Sequence, residues 1–455
     1  MKKWVLVAVC LAAAGAFGDE LDDFVRKDRE AKKIPGMVVA IIKDGKVDRV
    51  VTSGVANLDL DVPVKRETVF EIGSMTKAFT AELIMMLEEA GKLSVDDKIS
   101  KHIDSTPETW KDITIRHLLT HTSGLPNYTS IRPEMILSGK RMTYEEMFEL
   151  VKDRPLDFPL GEKYQYSNTG YYLLGKIIEK AAEKSFADYL KEKILLPLDM
   201  KQTRQQTARG IIKNRATGYM IFGTSPMLMP FIDPEGSFSA GNMVSTVDDM
   251  AKWDKALLEG RLLKPETREK MYQITRIKDG ISTYAFGWDI SEVAGHKARQ
   301  HGGGTGGFST YILRLPYDKL SVVVLSNLAM ADVASTARGA ARIALPSLEE
   351  MPVRDPDTAL TKKHREIIEK ITDGTIQRTP FEEATANELF PTLIAQARQQ
   401  LLSFGKLETF ELLEHKHEPK MLTRRYRMVF EQARLQLVIR EDGDNKIVAI
   451  FLRPD

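Results

Sequence analysis

The order of strand-like and helix-like segments in the first 345 residues places the tightest constraint on the fold. Met37 to Lys43 and Val47 to Val51 are apolar runs on either side of Asp44-Gly45, a dipeptide typical of a tight β-hairpin, and a helical stretch precedes them. Phe308 to Leu315 and Leu320 to Leu325 are two further strand-like runs, distant along the chain. We therefore predict one antiparallel sheet that is formed from both ends of this region and covered by helices.

The middle of the region has apolar residues at intervals of three and four, the spacing of an amphipathic helix. Four stretches show this spacing: Ala78 to Ala90, Tyr144 to Lys152, Tyr171 to Lys184 and Val247 to Leu258. A helical subdomain inserted between the strands accounts for this order. The predicted class is α+β, an antiparallel sheet flanked by helices, rather than a doubly wound parallel sheet.

A proline-rich stretch after residue 345 indicates a domain boundary. Three prolines interrupt residues 346–357, which can continue neither a helix nor a central strand. We predict one domain over residues 19–345, a linker over 346–357 and a small α+β domain over 358–455. The small domain is expected to contain helices from Thr358 to Ile371 and Glu383 to Leu402, then strands at Phe410 to Leu413, Arg425 to Phe430, Leu435 to Arg440 and Ile447 to Leu452.

The composition is that of a globular protein with sizeable cores. The 455 residues are 43% hydrophobic and 28% charged, and 65 Lys and Arg against 64 Asp and Glu leave a formal net charge of +1. No cluster of Lys and Arg interleaved with aromatic residues offsets that balance. Nucleic acid is therefore not expected as a partner.

The first eighteen residues have the pattern of a secretory signal peptide. Two lysines precede an apolar run from Trp4 to Ala14, and Ala16-Phe17-Gly18 provides small residues before a cut ahead of Asp19. The run is shorter than the roughly 20 residues of a membrane-spanning helix, so we expect cleavage and export, periplasmic or secreted, without a stable membrane anchor. Cys10, the only cysteine, lies in this segment, so the mature chain can form no disulfide.

A serine and a lysine three residues apart are the first catalytic candidates. Ser74 and Lys77 precede the predicted helix at Ala78, in the run Phe70 to Lys77 (FEIGSMTK). A lysine shielded from water beside the positive end of a helix is less stable as a cation, so its amine could accept the proton of the serine hydroxyl. Free backbone N–H groups at the same helix end would face a developing oxyanion. For an isolated S-x-x-K, the alternative is a helix-capping serine with an unrelated lysine.

Two later segments weaken that alternative. Tyr166-Ser167-Asn168 precedes the helix predicted from Tyr171, on a loop where a phenol and an amide can face a cleft. His301 and the glycines that follow it lead into the strand at Phe308, and glycine there allows a ligand to approach the backbone closely. Three polar elements in this order point to one site.

Other interpretations of these segments are weaker. His117 and His121 have a spacing that binds zinc in other proteins, but neither the expected glutamate nor a third ligand is evident. The glycine run 302–307 lacks the ending of a phosphate loop and precedes a strand instead of a helix. No metal and no cofactor are predicted. The polar, proline-broken segment from Asn127 to Arg141 is expected to form a loop at the rim of the substrate cleft.

These motifs resemble those of the serine hydrolases of the β-lactamase and penicillin-binding-protein superfamily, in the class C-like branch with D-aminopeptidases, D,D-peptidases and carboxylesterases. The resemblance covers roughly Leu21 to Leu345. Besides S-x-x-K and Y-S-N it is carried by Thr114 to Leu125 (TIRHLLTHTSGL), Gly236 to Asp249 (GSFSAGNMVSTVDD), Phe286-Gly287-Trp288 and His301-Gly302-Gly303, all in the family's order. The small C-terminal domain resembles, in its pattern of helices and strands only, nuclear transport factor 2-like domains.

The resemblance implies a role for each candidate. Ser74 would attack the substrate carbonyl, while Lys77 and Tyr166 share the proton transfers. Asn168 would hydrogen-bond the acyl side of the substrate, and the N–H groups of Ser74 and Gly304 would form the oxyanion hole. A Lys77 cation nearby is expected to lower the pKa of Tyr166, and the two groups should titrate as a coupled pair.

The third element departs from the β-lactamase pattern. His301 stands where those enzymes have a lysine that helps to bind a substrate carboxylate, and imidazole offers only a weaker, conditional charge at pH 7. With Gly303 and Gly304, His301 is expected to bind the substrate. A neutral ester, amide or short peptide fits this element better than an anionic β-lactam.

The sequence thus predicts an exported serine hydrolase that works through an acyl-enzyme on Ser74. The expected substrate is a small ester or a D-amino-acid-containing peptide or amide. A β-lactamase or D,D-carboxypeptidase is the alternative among enzymes, and a non-catalytic penicillin-recognising sensor or scaffold is the alternative outside them. The small domain is expected to be a structural appendage or a surface that joins copies of the chain into a homo-oligomer.

Overall fold

The computed structural model describes residues 8–131, 142–230, 232–278 and 280–454. The chain separates into two units, residues 1–348 and 349–455, and the division falls within the stretch predicted as a linker. Two predicted segments lie partly outside the described residues: positions 1–7 of the signal segment and 132–141 of the cleft loop.

The first unit has strands at both ends of its sequence and helices between them. Its helices are α1 Ala8–Ala31, α2 Thr76–Glu89, α3 Ile115–Leu119, α4 Tyr128–Ile131, α5 Tyr144–Val151, α6 Asn168–Ala182, α7 Phe186–Leu190, α8 Phe238–Gly241, α9 Val247–Glu259, α10 Pro265–Met271 and α11 Val333–Ala344. Its strands are β1 Gly36–Lys43, β2 Lys46–Asn57, β3 Val62–Pro63, β4 Phe70–Glu71, β5 Arg204–Gln205, β6 Tyr219–Phe222, β7 Ser225–Leu228, β8 Met243–Ser245, β9 Thr275–Ile277, β10 Gly280–Ser282, β11 Asp289–Val293, β12 His296–Thr305, β13 Phe308–Leu315 and β14 Leu320–Ser326.

A seven-stranded antiparallel sheet in the order β11-β12-β13-β14-β1-β2-β3 forms the centre of this unit. Strand β1 pairs with both β2 and β14, which brings the two ends of the region together as predicted. The hairpin between β1 and β2 turns at Asp44 and Gly45, whose φ angles are 50° and 69°, as a tight hairpin turn requires.

Both faces of the sheet are covered, which explains why β1 is apolar along most of its length. Val38, Ala40 and Ile42 contribute to one core, whereas Met37 and Val39 contribute to another on the opposite face. The first core also contains apolar residues of α2, α6 and α9, and the second contains residues of α1 and α11. The predicted α+β class, an antiparallel sheet flanked by helices with a helical subdomain, is confirmed.

Helix α2 lies in the interior of the first unit, since nearly every one of its residues is buried. It begins at Thr76, and α6 begins at Asn168, both somewhat earlier than the apolar spacing predicts. The first turns of these two helices contain polar residues. These turns contribute to the site described below.

The second unit is a small α+β domain. It contains helices α12 Thr358–Asp373, α13 Glu383–Leu389 and α14 Thr392–Ser403 and strands β15 Leu407–Glu418, β16 Met421–Phe430, β17 Arg434–Asp442 and β18 Ile447–Pro454. The strands form an antiparallel sheet in sequence order. The prediction of one helix from Glu383 to Leu402 is wrong, because Pro391 lacks the N–H that a continuous helix needs and separates α13 from α14.

Candidate active site

Ser74 stands on a short 3₁₀ turn, Gly73–Met75, that joins β4 to α2. Gly73 has a φ of 51°, and a Cβ added there would lie 2.7 Å from the backbone nitrogen of Gly304 on β12. Only glycine combines this backbone conformation with so close an approach. The turn therefore presents Ser74 at the start of α2, directly beside strand β12.

Lys77 is the second residue of α2, about one helical turn after Ser74, and its side chain is fully buried. Its Nζ is 3.1 Å from Ser74 Oγ, 2.8 Å from Asn168 Oδ1 and 2.8 Å from the carbonyl oxygen of Ala240. Burial lowers the pKa of Lys77 well below its ordinary value. In the part of the chain that the structure describes, no carboxylate forms an ion pair with this amine that would favour the cation.

The three contacts of Lys77 suit a neutral amine. A neutral amine has two N–H groups and one lone pair, and two of its neighbours, Asn168 Oδ1 and the Ala240 carbonyl, can only accept hydrogen bonds. The lone pair is then left for the third neighbour, the hydroxyl of Ser74, which can donate. This arrangement is what a general base needs in order to take the proton of a nucleophile.

Tyr166 lies against the same amine, with Lys77 Nζ 4.7 Å from the centre of its ring. Burial raises the pKa of Tyr166, and its interaction with the Ser74 hydroxyl opposes that rise only in part. The expectation that Lys77 lowers the pKa of Tyr166 is wrong, because burial raises that pKa and also disfavours the Lys77 cation that would oppose the rise. Tyr166 is a neutral phenol at rest, suited to donating a proton rather than accepting one.

Asn168 is the first residue of α6, and hydrogen bonds hold both its side-chain amide and its backbone N–H. Its Oδ1 accepts a hydrogen bond from Lys77, its Nδ2 donates to Thr129 Oγ1 at 3.3 Å, and its backbone N–H donates to Asn127 Oδ1 at 3.1 Å. The amide therefore orients the lysine. Binding of the substrate by Asn168 stays a prediction.

The glycines of β12 allow the strand to pack against the turn that carries Ser74. A Cβ added at Gly303 would meet the carbonyl oxygen of Ile72 at 2.0 Å, and Thr310 Oγ1 donates to that same oxygen at 3.0 Å. Gly304 differs, because a Cβ there would meet no atom within 4 Å and the residue is exposed. Gly304 therefore borders open space beside Ser74, where a substrate carbonyl could lie. The oxyanion role of the two N–H groups stays a prediction.

His301 occupies the interior side of β12 and has a partner at each ring nitrogen. Nδ1 is 2.6 Å from the carbonyl oxygen of Gly302, and Nε2 is 2.8 Å from the hydroxyl of Tyr284. Because the carbonyl can only accept, Nδ1 donates to it, and Nε2 accepts from Tyr284. Burial lowers the pKa of His301 to about 4, so the conditional positive charge expected at this position is not available at pH 7. Contact between His301 and substrate stays a prediction.

A cavity of about 580 Å³ adjoins Tyr166. Asn127, Arg154, Asp157 and Gln165 are among the residues that line it. Asn127 lies at the start of the segment predicted to form the cleft rim. The cavity therefore offers room for a substrate group beside Tyr166.

Two groups of this site were missed by sequence reasoning. The Ala240 carbonyl contacts Lys77 from 163 positions away, and His121 packs its ring against Tyr166 with 4.4 Å between ring centres. Both belong to runs that carry the family resemblance, Gly236 to Asp249 and Thr114 to Leu125. Their place in these two runs is the only feature of the sequence that could have identified them. The spacing within either run does not indicate that it contacts Lys77 or Tyr166.

Among the helices that the structure describes, none combines the length and apolar character needed to cross a membrane. Within the same residues, no three His, Cys, Asp or Glu side chains gather closely enough to hold a metal ion.

Comparison with known proteins gives consistent matches. The chain is 32% identical over 291 residues to a penicillin-binding protein of Bacillus subtilis (strain 168), which is 60% of this chain and 64% of that protein. It is 30% identical over 321 residues to the protein flp of Staphylococcus aureus (strain MW2), which is 68% of this chain and 63% of that protein. The chain thus spans somewhat less than two thirds of the length of these relatives.

Solved structures extend the likeness to the fold. An octameric penicillin-binding protein homologue from Pyrococcus abyssi has a TM-score of 0.65 and 27% identity, and the match covers 92% of this chain and 90% of that one. A D-amino acid amidase from Ochrobactrum anthropi SV3 has a TM-score of 0.63 at 24% identity, over 73% of this chain and 98% of that one, which is a likeness of fold.

The family model described as beta-lactamase matches residues 21–345, which include every candidate residue of the site. This match covers well over half of the sequence and the whole of the sheet and its helical subdomain. The chain belongs to the beta-lactamase family.

Proposed function

We propose that this protein is a serine hydrolase that forms an acyl-enzyme on Ser74 and cleaves small esters or amides, including D-amino-acid-containing peptides. The observation that carries the proposal is the environment of Lys77. Its amine is buried without a counter-ion, its N–H groups face two carbonyl oxygens, and its remaining contact is Ser74 Oγ at 3.1 Å. A serine with such a neighbour is an activated nucleophile.

Acylation follows from the resting protonation states. Lys77 Nζ takes the proton of Ser74 as Oγ bonds to the substrate carbonyl carbon, and the carbonyl electrons move to its oxygen. The N–H groups of Ser74 and Gly304 are proposed to bind that oxyanion. When the tetrahedral intermediate collapses, Tyr166 gives its proton to the departing oxygen or nitrogen, and the proton on Lys77 restores the phenol.

Deacylation reverses these roles with water as the nucleophile. Water loses a proton to the pair formed by Tyr166 and Lys77 as its oxygen bonds to the acyl carbon. The bond to Ser74 Oγ then breaks, and Oγ regains a proton from Lys77. The acid product leaves, and each group has returned to its starting state.

The substrate class is argued from His301. A neutral imidazole with both ring nitrogens engaged supplies no fixed cation for a substrate carboxylate. This supports esters, amides or short peptides over anionic β-lactams. A β-lactamase or D,D-carboxypeptidase remains the second candidate, since the Bacillus subtilis relative is a penicillin-binding protein.

The test is a panel of substrates assayed on one preparation. A p-nitrophenyl ester, a D-amino acid anilide, a D-Ala-D-Ala peptide and nitrocefin distinguish the candidates. We expect turnover of the ester and the anilide, covalent labelling of Ser74 by a fluorophosphonate, and loss of both in Ser74→Ala. Ser403→Ala, in the second unit, is the matched control and should behave as wild type. Activity that survives Ser74→Ala refutes the proposal, and labelling without any turnover supports a sensor.

Export and assembly are also proposed. The pattern of residues 1–18 supports secretion, and N-terminal sequencing of the mature protein should then start at Asp19. The second unit is proposed to be an assembly module, which the match of 92% of this chain to an octameric homologue supports. Its likeness to nuclear transport factor 2-like domains is proposed on its pattern of helices and strands alone. Light scattering of the full chain should give a mass above that of one copy, and a monomer at micromolar concentration contradicts this.

A further inference from the structure

His121 is buried but takes no part in the mechanism above. It follows helix α3, its side chain is 1% exposed, and its φ of 57° lies in the left-handed region, which is rare for a residue other than glycine. Its Nε2 is buried, and no hydrogen-bond partner for it occurs among the described residues. Backbone strain and an unpaired buried polar atom occur most often at functional sites.

The hydrogen bonds of His121 go to the two residues that flank Tyr166. Its backbone carbonyl accepts from the N–H of Gln165 at 2.9 Å, and its Nδ1 accepts from the N–H of Ser167 at 3.1 Å. Its ring lies against the ring of Tyr166, with 4.4 Å between centres and a tilt of 38°. His121 therefore binds the backbone on both sides of Tyr166 and also packs against its ring.

A second aromatic ring, that of Tyr284, also packs against His121. The ring of Tyr284 is 4.5 Å away, and the hydroxyl of Tyr284 is in turn bonded to His301 of β12. Burial lowers the pKa of His121 well below its ordinary value, so the ring stays neutral and Nδ1 remains an acceptor. A neutral His121 thus has partners on the loop that carries Tyr166 and, through Tyr284, on the side of the site that faces β12.

We infer that His121 is a positioning residue for the proton-donating phenol of Tyr166, an inference that rests on the proposed function. His121 does not exchange protons with the substrate. It fixes the position from which Tyr166 reaches the leaving group. Loss of the Nδ1 acceptor should therefore harm substrates whose leaving group needs a proton more than substrates whose leaving group departs as an anion.

The test compares His121→Gly with His121→Asn. Both residues tolerate a φ of 57°, so neither variant adds backbone strain, but only Asn keeps a side-chain oxygen near the position of Nδ1. Each is assayed with a D-amino acid anilide, whose amine must be protonated to leave, and with the p-nitrophenyl ester of the same amino acid, whose phenolate leaves unaided. His117→Asn, in the preceding helix and without contact to Tyr166, is the matched control.

We expect His121→Gly to lose about 100-fold in kcat/KM for the anilide, the cost of misplacing a catalytic group by about 1 Å. Because kcat/KM reports acylation and not the deacylation that both substrates share, its value for the nitrophenyl ester should fall much less, and His121→Asn should recover part of the anilide activity. Thermal unfolding shows whether each variant is folded. If His121→Gly is unfolded, His121→Asn is compared with wild type instead, by the same ratio of anilide to ester kcat/KM.

The outcomes separate the two proposals. An equal loss on both substrates, or an unchanged anilide-to-ester ratio in a folded variant, overturns the role of His121 while the acyl-enzyme on Ser74 stands. A wild-type chain that a fluorophosphonate does not label at Ser74 overturns the proposed function and the role of His121 with it.

Discussion

At the scale of single residues, the site depends on groups that are neutral because they are buried. Lys77 would be a poor base at its ordinary pKa, because the amine would be a cation at pH 7. Burial without a counter-ion disfavours that cation, and burial of Tyr166 disfavours the phenolate. During acylation the proton of Ser74 can then pass to the amine of Lys77.

His301 gives a prediction for stability at low pH. Its pKa is about 4 in the folded chain against about 6.5 when unfolded, so between these values the unfolded chain binds a proton that the folded chain does not. Stability contributed by neutral His301 is complete above about pH 6.5 and is lost as the pH falls, by up to about 3 kcal/mol near pH 4. His301→Gln should lose less stability over this range in urea unfolding.

The comparison needs a second histidine as its control. His296→Gln, on the same strand, is that control and should leave the acid sensitivity of the wild type unchanged, because His296 is partly exposed and lies outside the buried site. If wild type and His301→Gln lose stability in parallel between pH 7 and pH 4, His301 is not held neutral by burial.

The sequence predicted Ser74, Lys77, Tyr166 and Asn168 because each lies in a local pattern or a motif. It could not indicate the charge state of Lys77 or Tyr166, since that depends on burial by segments distant along the chain. The Ala240 carbonyl is one such group, and the His121 ring is another. Local spacing identifies candidates, whereas tertiary packing sets their pKa values.

At the scale of elements, the site depends on how closely β12 approaches the turn before α2. Gly303→Ala would place a methyl group 2.0 Å from the carbonyl oxygen of Ile72, so the strand must move away from Ser74. A shift of about 1 Å in the oxyanion site should lower the rate of acylation by about 100-fold. Burst kinetics with a p-nitrophenyl ester measure that rate.

Gly302→Ala is the matched control for this substitution. The nearest atom to a Cβ at Gly302 is a ring carbon of Tyr311 at 3.4 Å, an ordinary contact. This variant should acylate at close to the wild-type rate. Equal rates for wild type and Gly303→Ala would show that the spacing between β12 and the Ser74 turn is not critical.

The elements also show where sequence patterns fail. The central strands were predicted from continuous apolar runs, and the helices α2, α5, α6 and α9 from apolar residues at intervals of three and four. In the second unit, β15 extends to Glu418, beyond the predicted end of that strand at Leu413. The last residues of β15 are polar on both faces, so they show no apolar alternation that would predict a strand. Their pairing with β16 nevertheless continues to the end of the strand.

At the scale of the whole molecule, the two units have separate apolar cores. Residues of the second unit, such as Ile368 and Leu437, form a cluster distinct from the two clusters of the first. Ile368→Ala should therefore destabilise the second unit by about 2–5 kcal/mol, the usual cost of truncating a buried isoleucine. We expect kcat for the nitrophenyl ester to be unchanged.

Calorimetry checks this expectation. Ile368→Ala should lower the temperature of one unfolding transition and leave that of the other unchanged. Leu393→Ala, at an exposed position of the same unit, is the control and should lower neither transition. A single cooperative transition that Ile368→Ala shifts as a whole, with a matching loss of kcat, would contradict separate folding units.

The pH dependence of Ser74 acylation is the decisive test of whether Lys77 is the neutral base that activates Ser74. Single-turnover rates with a neutral p-nitrophenyl ester, followed from pH 5 to pH 10, report when Lys77 becomes a neutral amine. Because burial lowers the pKa of Lys77, the rate should reach its plateau well below the pH at which an ordinary lysine loses its proton, and Lys77→Met should remove both the plateau and most of the rate. A rate that instead climbs until about pH 10, as for an ordinary lysine, would contradict the assignment of Lys77 as a resting base.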